Sequence, residues 1–152
     1  MRVLVQRVTS ASVEVDNEVV GSIGQGLLAF VGFGRNSQAR DIDWMVDKLV
    51  GLRIFADDSG HMNHSIQEIS GQVLIVSQFT LYGDCRKGRR PSFEPALPPT
   101  EASDFYQQFV LKFKERLREA VETGIFGADM KVSLVNDGPV TFWLERESES
   151  DV

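Results

Sequence analysis

The sequence predicts a single mixed α/β domain of layered type. Short runs rich in β-branched residues, such as Val73-Leu74-Ile75-Val76, recur along the chain. Two longer stretches instead space their apolar residues at helical period. Nothing in the 152 residues reads as a linker, an internal repeat or a low-complexity segment. A chain of that size closes one core without dividing.

In order, Val3, Leu4, Val5 and Val8 fill both faces of an extended segment, and Ser12-Val13-Glu14-Val15 alternates. Asp16-Asn17 turns the chain into Glu18-Val19-Val20-Gly21-Ser22-Ile23, a β-hairpin. Leu27-Leu28-Ala29-Phe30-Val31 has the continuous apolar character of a strand buried on both faces. Gly32-Phe33-Gly34 matches no complete nucleotide-binding fingerprint and reads as a turn. Between positions 39 and 50, Ile42, Met45, Val46, Leu49 and Val50 mark an amphipathic helix, with Trp44 beside the stripe and Gly51 placed to end it. Leu52-Arg53-Ile54-Phe55 predicts a further strand, and Asp57-Asp58-Ser59-Gly60 a turn. Pro91, Pro95, Pro98 and Pro99 constrain a loop. Thr100 is the expected N-cap of a helix whose stripe runs Phe105, Phe109, Phe113, Leu117, Val121 to a stop at Gly124. Residues 130–135 and 140–144 alternate as two last strands, joined by the turn sequence Asn136-Asp137-Gly138-Pro139.

A net charge of −6 argues against a protein that coats nucleic acid by bulk electrostatics, while leaving room for a local basic patch. No apolar run approaches the roughly 20 residues of a membrane span, and the N-terminal segment lacks the pattern of a secretory signal. One cysteine excludes a disulfide framework, and a cytoplasmic location is expected. The domain is expected to span 1–146, with residues 147–152 a solvated acidic tail.

The candidate site begins where the strand at 73–76 ends. Ser77-Gln78-Phe79-Thr80-Leu81-Tyr82-Gly83-Asp84 places polar groups abruptly at that end. Arg86-Lys87-Gly88-Arg89-Arg90 follows directly. In mixed α/β domains ligands gather where buried strands meet their loops. Polar groups beside four cations suit a polyanionic substrate, although a strand end followed by a solvated turn has the same composition. His61 and His64 are the only histidines and lack a helix-spaced carboxylate partner, so they read as exposed loop residues rather than metal ligands. A hydrolase triad would have to take its base from that turn. Cys85 lies beside cations with no neighbouring histidine, which leaves it poorly equipped as a nucleophile. In Asn136-Asp137-Gly138-Pro139-Val140-Thr141, Gly138 permits unusual backbone angles and Pro139 removes a donor, so carbonyl acceptors can be presented together. A plain hairpin turn has the same signature.

Taken together, Ser77-Gln78-Phe79-Thr80-Leu81 and Asn136-Asp137-Gly138-Pro139-Val140-Thr141 resemble the paired signature motifs of the D-aminoacyl-tRNA deacylases. The likeness extends through Met1-Arg2-Val3, Val5-Gln6-Arg7-Val8, Leu52-Arg53-Ile54-Phe55, residues 86–93 and Phe126-Gly127-Ala128-Asp129-Met130. His61 and Cys85 depart from it, standing where the family has Lys and Thr. The resemblance implies β-sheets packed as a barrel-like sandwich with two main helices on one side. It implies a homodimer in which each subunit lends a Gly138–Pro139 turn, its peptide bond cis, to the partner's active site. The carbonyls of that turn would face the substrate's α-amino group, barring an L side chain and passing a D one. Glycine, with no side chain, would not be rejected.

By the same resemblance the reaction is hydrolysis of the ester of D-aminoacyl-tRNA, and of glycyl-tRNA as well, without cofactor or metal. The N–H groups of Phe79 and Thr80 are the expected oxyanion donors, with Ser77 and Gln78 shaping the site. No base is evident for a Thr80 nucleophile, which favours assistance by the ribose 2′-OH. Arg86, Lys87, Arg89 and Arg90 are the expected tRNA phosphate contacts. Phe126 and Met130 would lie near the terminal adenine, though core packing would also explain both. Arg7 would brace the Gly138–Pro139 turn, unless it is simply a surface-facing strand residue. Two alternatives stand beside this reading: a non-catalytic RNA-binding or interaction module using the loop 86–90, and a small-ester hydrolase using Thr80 or Cys85.

Overall fold

β1 (Arg2–Val15) is the strand on which the others assemble in this computed structural model, which describes residues 1–147. The expected acidic tail, apart from Glu147, lies outside the described residues. The further elements are β2 (Glu18–Ile23), β3 (Gly26–Gly32), α1 (Ala39–Gly51), β4 (Phe55–Ala56), β5 (Met62–His64), β6 (Gln72–Ser77), α2 (Pro99–Leu117), β7 (Val121–Thr123) and β8 (Lys131–Glu145). One edge of β1 pairs antiparallel with β3 and then β2, while the other carries β8 along nearly its whole length. β6 adds parallel to β3, and β7 parallel to β6, giving the order β2-β1-β3-β6-β7 with β8 attached to β1. The sheet curls until β2 meets β7. At Gly21 an added Cβ would stand 2.6 Å from the Thr123 carbonyl oxygen, so only glycine permits that near-closure.

Both faces of this sheet are covered, as the apolar run at 27–31 predicts. Leu27, Ala29 and Val31 with Val73 and Ile75 face one core, which α1 and α2 cover. Leu28, Leu74 and Val76 face a second, with Val13 and Ile23. β1 serves both cores by a change of phase. Val3 and Val5 point to the helical side, whereas Val8, Ala11 and Val13 point to the other. A register irregularity between Val8 and Ser10 supplies the extra residue that shifts the alternation. Both helices thus lie on one side of a barrel-like sheet. Phe109 and Phe113 on α2 are fully buried and meet edge-on at 5.1 Å, each worth about 1.5–3 kcal/mol of burial.

Four local expectations are corrected. Residues 52–54 are not strand, and only Phe55–Ala56 pairs, with Met62–His64, in a separate two-stranded sheet. α2 starts on Pro99 with Pro98 as N-cap, because proline at the first helical position needs no N–H partner there. Thr100 therefore lies inside the helix. The same helix ends at Leu117, since Arg118 takes a positive φ of 55°, and Val121 belongs to β7. Its i+4 spacing from Leu117 continues the stripe by coincidence. Lastly, residues 131–145 form one strand rather than a hairpin, so Asn136–Pro139 is not a reversal. Between the pairs Gln6–Thr141 and Val8–Asn136 lie four residues of β8 against one of β1, and the surplus bulges out.

Candidate active site

β6 delivers the site. Buried on both faces, it runs to Ser77 and stops, and the Gln78 N–H donates to Val31 O at 2.7 Å. The chain then tightens into a 3-10 turn over Phe79–Tyr82, closed by Leu81 N to Gln78 O at 3.2 Å and Gly83 N to Thr80 O at 2.9 Å. Phe79 and Thr80 are the first two residues of that turn, so their N–H groups have no carbonyl within it to donate to. Beside the turn opens a cleft of about 720 Å³, a size suited to a small-molecule or nucleoside group. Ser77, Gln78 and Phe79 line one wall, and Phe126 and Met130 another. Phe126 is braced from behind by Tyr106, ring to ring at 5.6 Å, and the Tyr106 hydroxyl donates to Ile75 O at 3.1 Å. Burial pushes that phenol up to about 12, which keeps it a donor. Phe126 and Met130 each pack partly against a core as well, so lining and packing are both true of them.

Chemically the cleft is sparse. Among the described residues its lining includes no histidine, cysteine or lysine, and its ionisable members are Arg35 and Asp129. The Thr80 hydroxyl accepts a hydrogen bond from the Gln78 side-chain amide, a group that cannot take up a proton at neutral pH. His61 is exposed, and His64 Nδ1 lies 3.0 Å from Glu68 Oε2, so His64 does have a carboxylate four residues on, contrary to the sequence reading; neither histidine lines the cleft. Cys85 is exposed beyond the turn. Of the expected catalytic residues, Ser77, Gln78 and Phe79 line the cleft, whereas Thr80 is exposed on the turn and is not part of the lining.

Gly138, Pro139 and Arg7 are not part of this cleft. The peptide bond Gly138–Pro139 is cis, with Gly138 at φ 137°, where an L side chain is strained. An added Cβ there would also lie 2.6 Å from Val140 Cγ2. Asn136 ties the bulge, accepting from Val140 N at 2.9 Å and donating to Thr141 Oγ1 at 3.0 Å. Arg7, mostly buried, donates from Nε to Asp137 O at 3.1 Å and from Nη1 to Ile54 O at 2.6 Å. Gly138 and Pro139 themselves are exposed.

The cationic loop is closed at its base by paired backbone hydrogen bonds between Asp84 and Ser92, at 2.7 and 2.9 Å. Arg86 grips Asp84 with two side-chain bonds, at 2.9 and 2.7 Å, holding that carboxyl down at about 2. Lys87, Arg89 and Arg90 stand exposed beside it. Sequence reasoning missed Phe93, Arg35 and Asp129, which also line the cleft. A lone aromatic after a basic run and a cation after Gly32-Phe33-Gly34 were the available signals.

Fold and cleft together define a mixed α/β protein with a cleft at a polar strand end and no nucleophile–base pair among the cleft's described residues. The sequence matches the D-Tyr-tRNA(Tyr) deacylase family over residues 4–145. It is 56% identical over 147 residues to a D-aminoacyl-tRNA deacylase of Desulfitobacterium hafniense, covering 97% of this chain and 98% of that one. It is 52% identical over 153 residues to that of Geobacter sulfurreducens, covering 99% and 98%. Among solved structures, a c-Myc DNA unwinding element binding protein superposes with a TM-score of 0.93 at 39% identity, over 97% of this chain and 100% of that one. The chain belongs to the D-Tyr-tRNA(Tyr) deacylase family, and both of these bacterial relatives are hydrolases by name.

Proposed function

We propose that the chain hydrolyses the ester joining a D-aminoacyl group, and glycyl as well, to the 3′-terminal ribose of tRNA. The observation that carries this reading is the pair of N–H groups at Phe79 and Thr80. They stand at the head of a 3-10 turn that offers them no carbonyl of its own, and Phe79 lines a cleft whose described lining lacks a nucleophile–base pair. Water adds to the ester carbonyl carbon, and the oxyanion that forms is met by those N–H groups. The ribose 2′-OH, adjacent to the scissile oxygen, positions the water and relays its proton. Collapse breaks the bond to the ribose 3′-oxygen, which leaves as a hydroxyl, and the free amino acid departs as the carboxylate. Ser77 and Gln78 shape the pocket, and Phe126 and Met130 flank the terminal adenine.

Chirality is set by exclusion. Gly138 and Pro139, exposed and outside the lining of their own chain's cleft, enter the cleft of a second copy, and the protein acts as a homodimer. Arg7 holds that turn in place. Lys87, Arg89 and Arg90, with Arg86, carry the acceptor-stem phosphates. None of the described helices is long and apolar enough to cross a membrane, and the substrate places the work in the cytoplasm.

The deciding experiment compares deacylation of D- and L-tyrosyl-tRNA with and without a chelator. Rapid, chelator-resistant turnover of the D ester alone is expected. Equal turnover of both, or of neither, defeats the reading. A second reading, a nucleic-acid-binding module without turnover, draws on the DNA-binding name of the 39% identical structure. Tight binding with no hydrolysis of either ester would establish it.

A further inference from the structure

Neither core packing nor the proposed chemistry accounts for the aromatic pair Phe79–Phe93. Phe79 is 57% exposed and Phe93 41% exposed, and their rings meet near edge-to-face, centroids 5.0 Å apart at 64°. Both line the cleft. Phe93 is nevertheless fixed in place. Its ring lies over Gly83, where an added Cβ would stand 3.1 Å from Phe93 Cε1, and the Asp84–Ser92 bridge pins the residue before it. That bridge also closes the loop carrying Lys87, Arg89 and Arg90. A rigid aromatic surface therefore sits between the cleft and a set of exposed cations.

The chemistry that fits such a surface is an unpaired nucleobase. An edge-to-face pair leaves ring face open, and bases stack on aromatic faces whatever their identity, while nearby cations hold the connecting phosphate. Net charge on the remainder of the protein is acidic, so a polyanion is drawn to local cations such as these, with exposed Arg35 also lining the cleft. We propose that Phe79 and Phe93 form a stacking subsite for the base of the nucleotide preceding the terminal adenosine of the RNA. The inference rests on the deacylase reading. The terminal nucleoside occupies the cleft, and the strand leaves it across the two rings toward Lys87, Arg89 and Arg90.

The test uses two substrates, D-tyrosyl-tRNA and the minimal ester D-tyrosyl-adenosine, which lacks the preceding nucleotide. Phe93→Ala should lower kcat/KM on the tRNA about tenfold more than on the minimal ester, the order expected for one stacked base. Phe93→Trp should restore the tRNA rate. Phe93→Leu keeps apolar bulk on Gly83 and should not, and it serves the same comparison if the alanine variant fails to fold. Removing the base at the penultimate nucleotide should mimic Phe93→Ala and, combined with it, add nothing further. Equal losses on both substrates, or additive losses with the abasic tRNA, overturn the subsite while leaving the deacylase reading intact. A wild-type protein inert on both esters overturns that reading and this one with it.

Discussion

Arg2, at the start of β1, donates from Nη1 to the carbonyl oxygen of Leu81 at 2.9 Å, tying the first strand to the turn that carries the site. The same guanidinium lies 4.3 Å over the Tyr82 ring and 5.7 Å from that of Trp143, and its Nε is 3.5 Å from Glu145 Oε2. One cation thus fixes the 3-10 turn against β1 and β8 together. Arg2 is expected to act on activity through the turn rather than on substrate. Arg2→Ala should lower kcat about ten- to hundredfold with KM little altered, because small displacements of transition-state donors are costly. Arg2→Lys, unable to spread over both neighbours, should recover part. Steady-state kinetics with melting curves check this, and a rise in KM alone would refute it.

Thr80→Ala should retain most activity, since among the described residues its hydroxyl bonds the Gln78 amide, which cannot act as a base. A 2′-deoxy terminal adenosine should lose about a hundredfold or more, the usual scale of proton-transfer assistance. Single-turnover deacylation of both substrates separates the two outcomes, and the opposite pattern would restore a covalent Thr80 intermediate.

Binding of uncharged tRNA should weaken with salt, and replacing Lys87 and Arg89 by Gln should lower the log–log slope by roughly one for each phosphate no longer neutralised. Arg86→Gln should change the slope less, because its guanidinium is already committed to Asp84. Titrations across salt concentrations measure both. A larger change for Arg86 would make it the principal phosphate ligand.

The Asp84 carboxyl is held at about 2, below its ordinary 3.8, chiefly by the side-chain bonds from Arg86. A depressed carboxyl contributes order that is present above the unfolded value and is lost as pH falls through the folded one. The Asp84–Arg86 pairing should therefore persist at every pH above about 4 and be lost between roughly 4 and 2, while the backbone bonds to Ser92 remain. Arg86→Gln should return the Asp84 titration toward its ordinary value. Carboxyl-detected NMR titration of both proteins reads this directly.

Tyr106→Phe should cost about 0.5–1.5 kcal/mol, the net worth of one hydrogen bond, and near the lower end. Ile75 O remains satisfied in the variant, because Gly124 N also donates to it at 3.0 Å. Urea denaturation checks the figure, and a loss above about 3 kcal/mol would mean that the ring itself had moved.

The elements that sequence revealed are those whose apolar pattern is dictated by burial. Leu27 to Val31 and Val73 to Val76 must satisfy two cores at once, so they leave no polar residue to misread. What failed was punctuation. Arg118 ends α2 in a left-handed conformation without glycine, and Pro98 caps it without a side-chain oxygen, so neither end carries its usual mark. The β8 bulge is written in hairpin residues, yet the strand continues because Asn136 supplies hydrogen bonds that a reversal would have broken. Of the candidate site, Ser77, Gln78 and Phe79 were legible as polar and aromatic residues at a strand end. Phe93 and Arg2 were not, since their places depend on Gly83 and Leu81, neighbours that no local pattern announces.

The head of the 3-10 turn has a consequence for variation. If the groups that hold the oxyanion are peptide N–H groups, nineteen of the twenty encoded residues keep them, and side-chain scanning of 79 and 80 will report on shape while the donors persist. Proline alone deletes an N–H. Drift at these two codons can therefore retune the pocket's fit without silencing it.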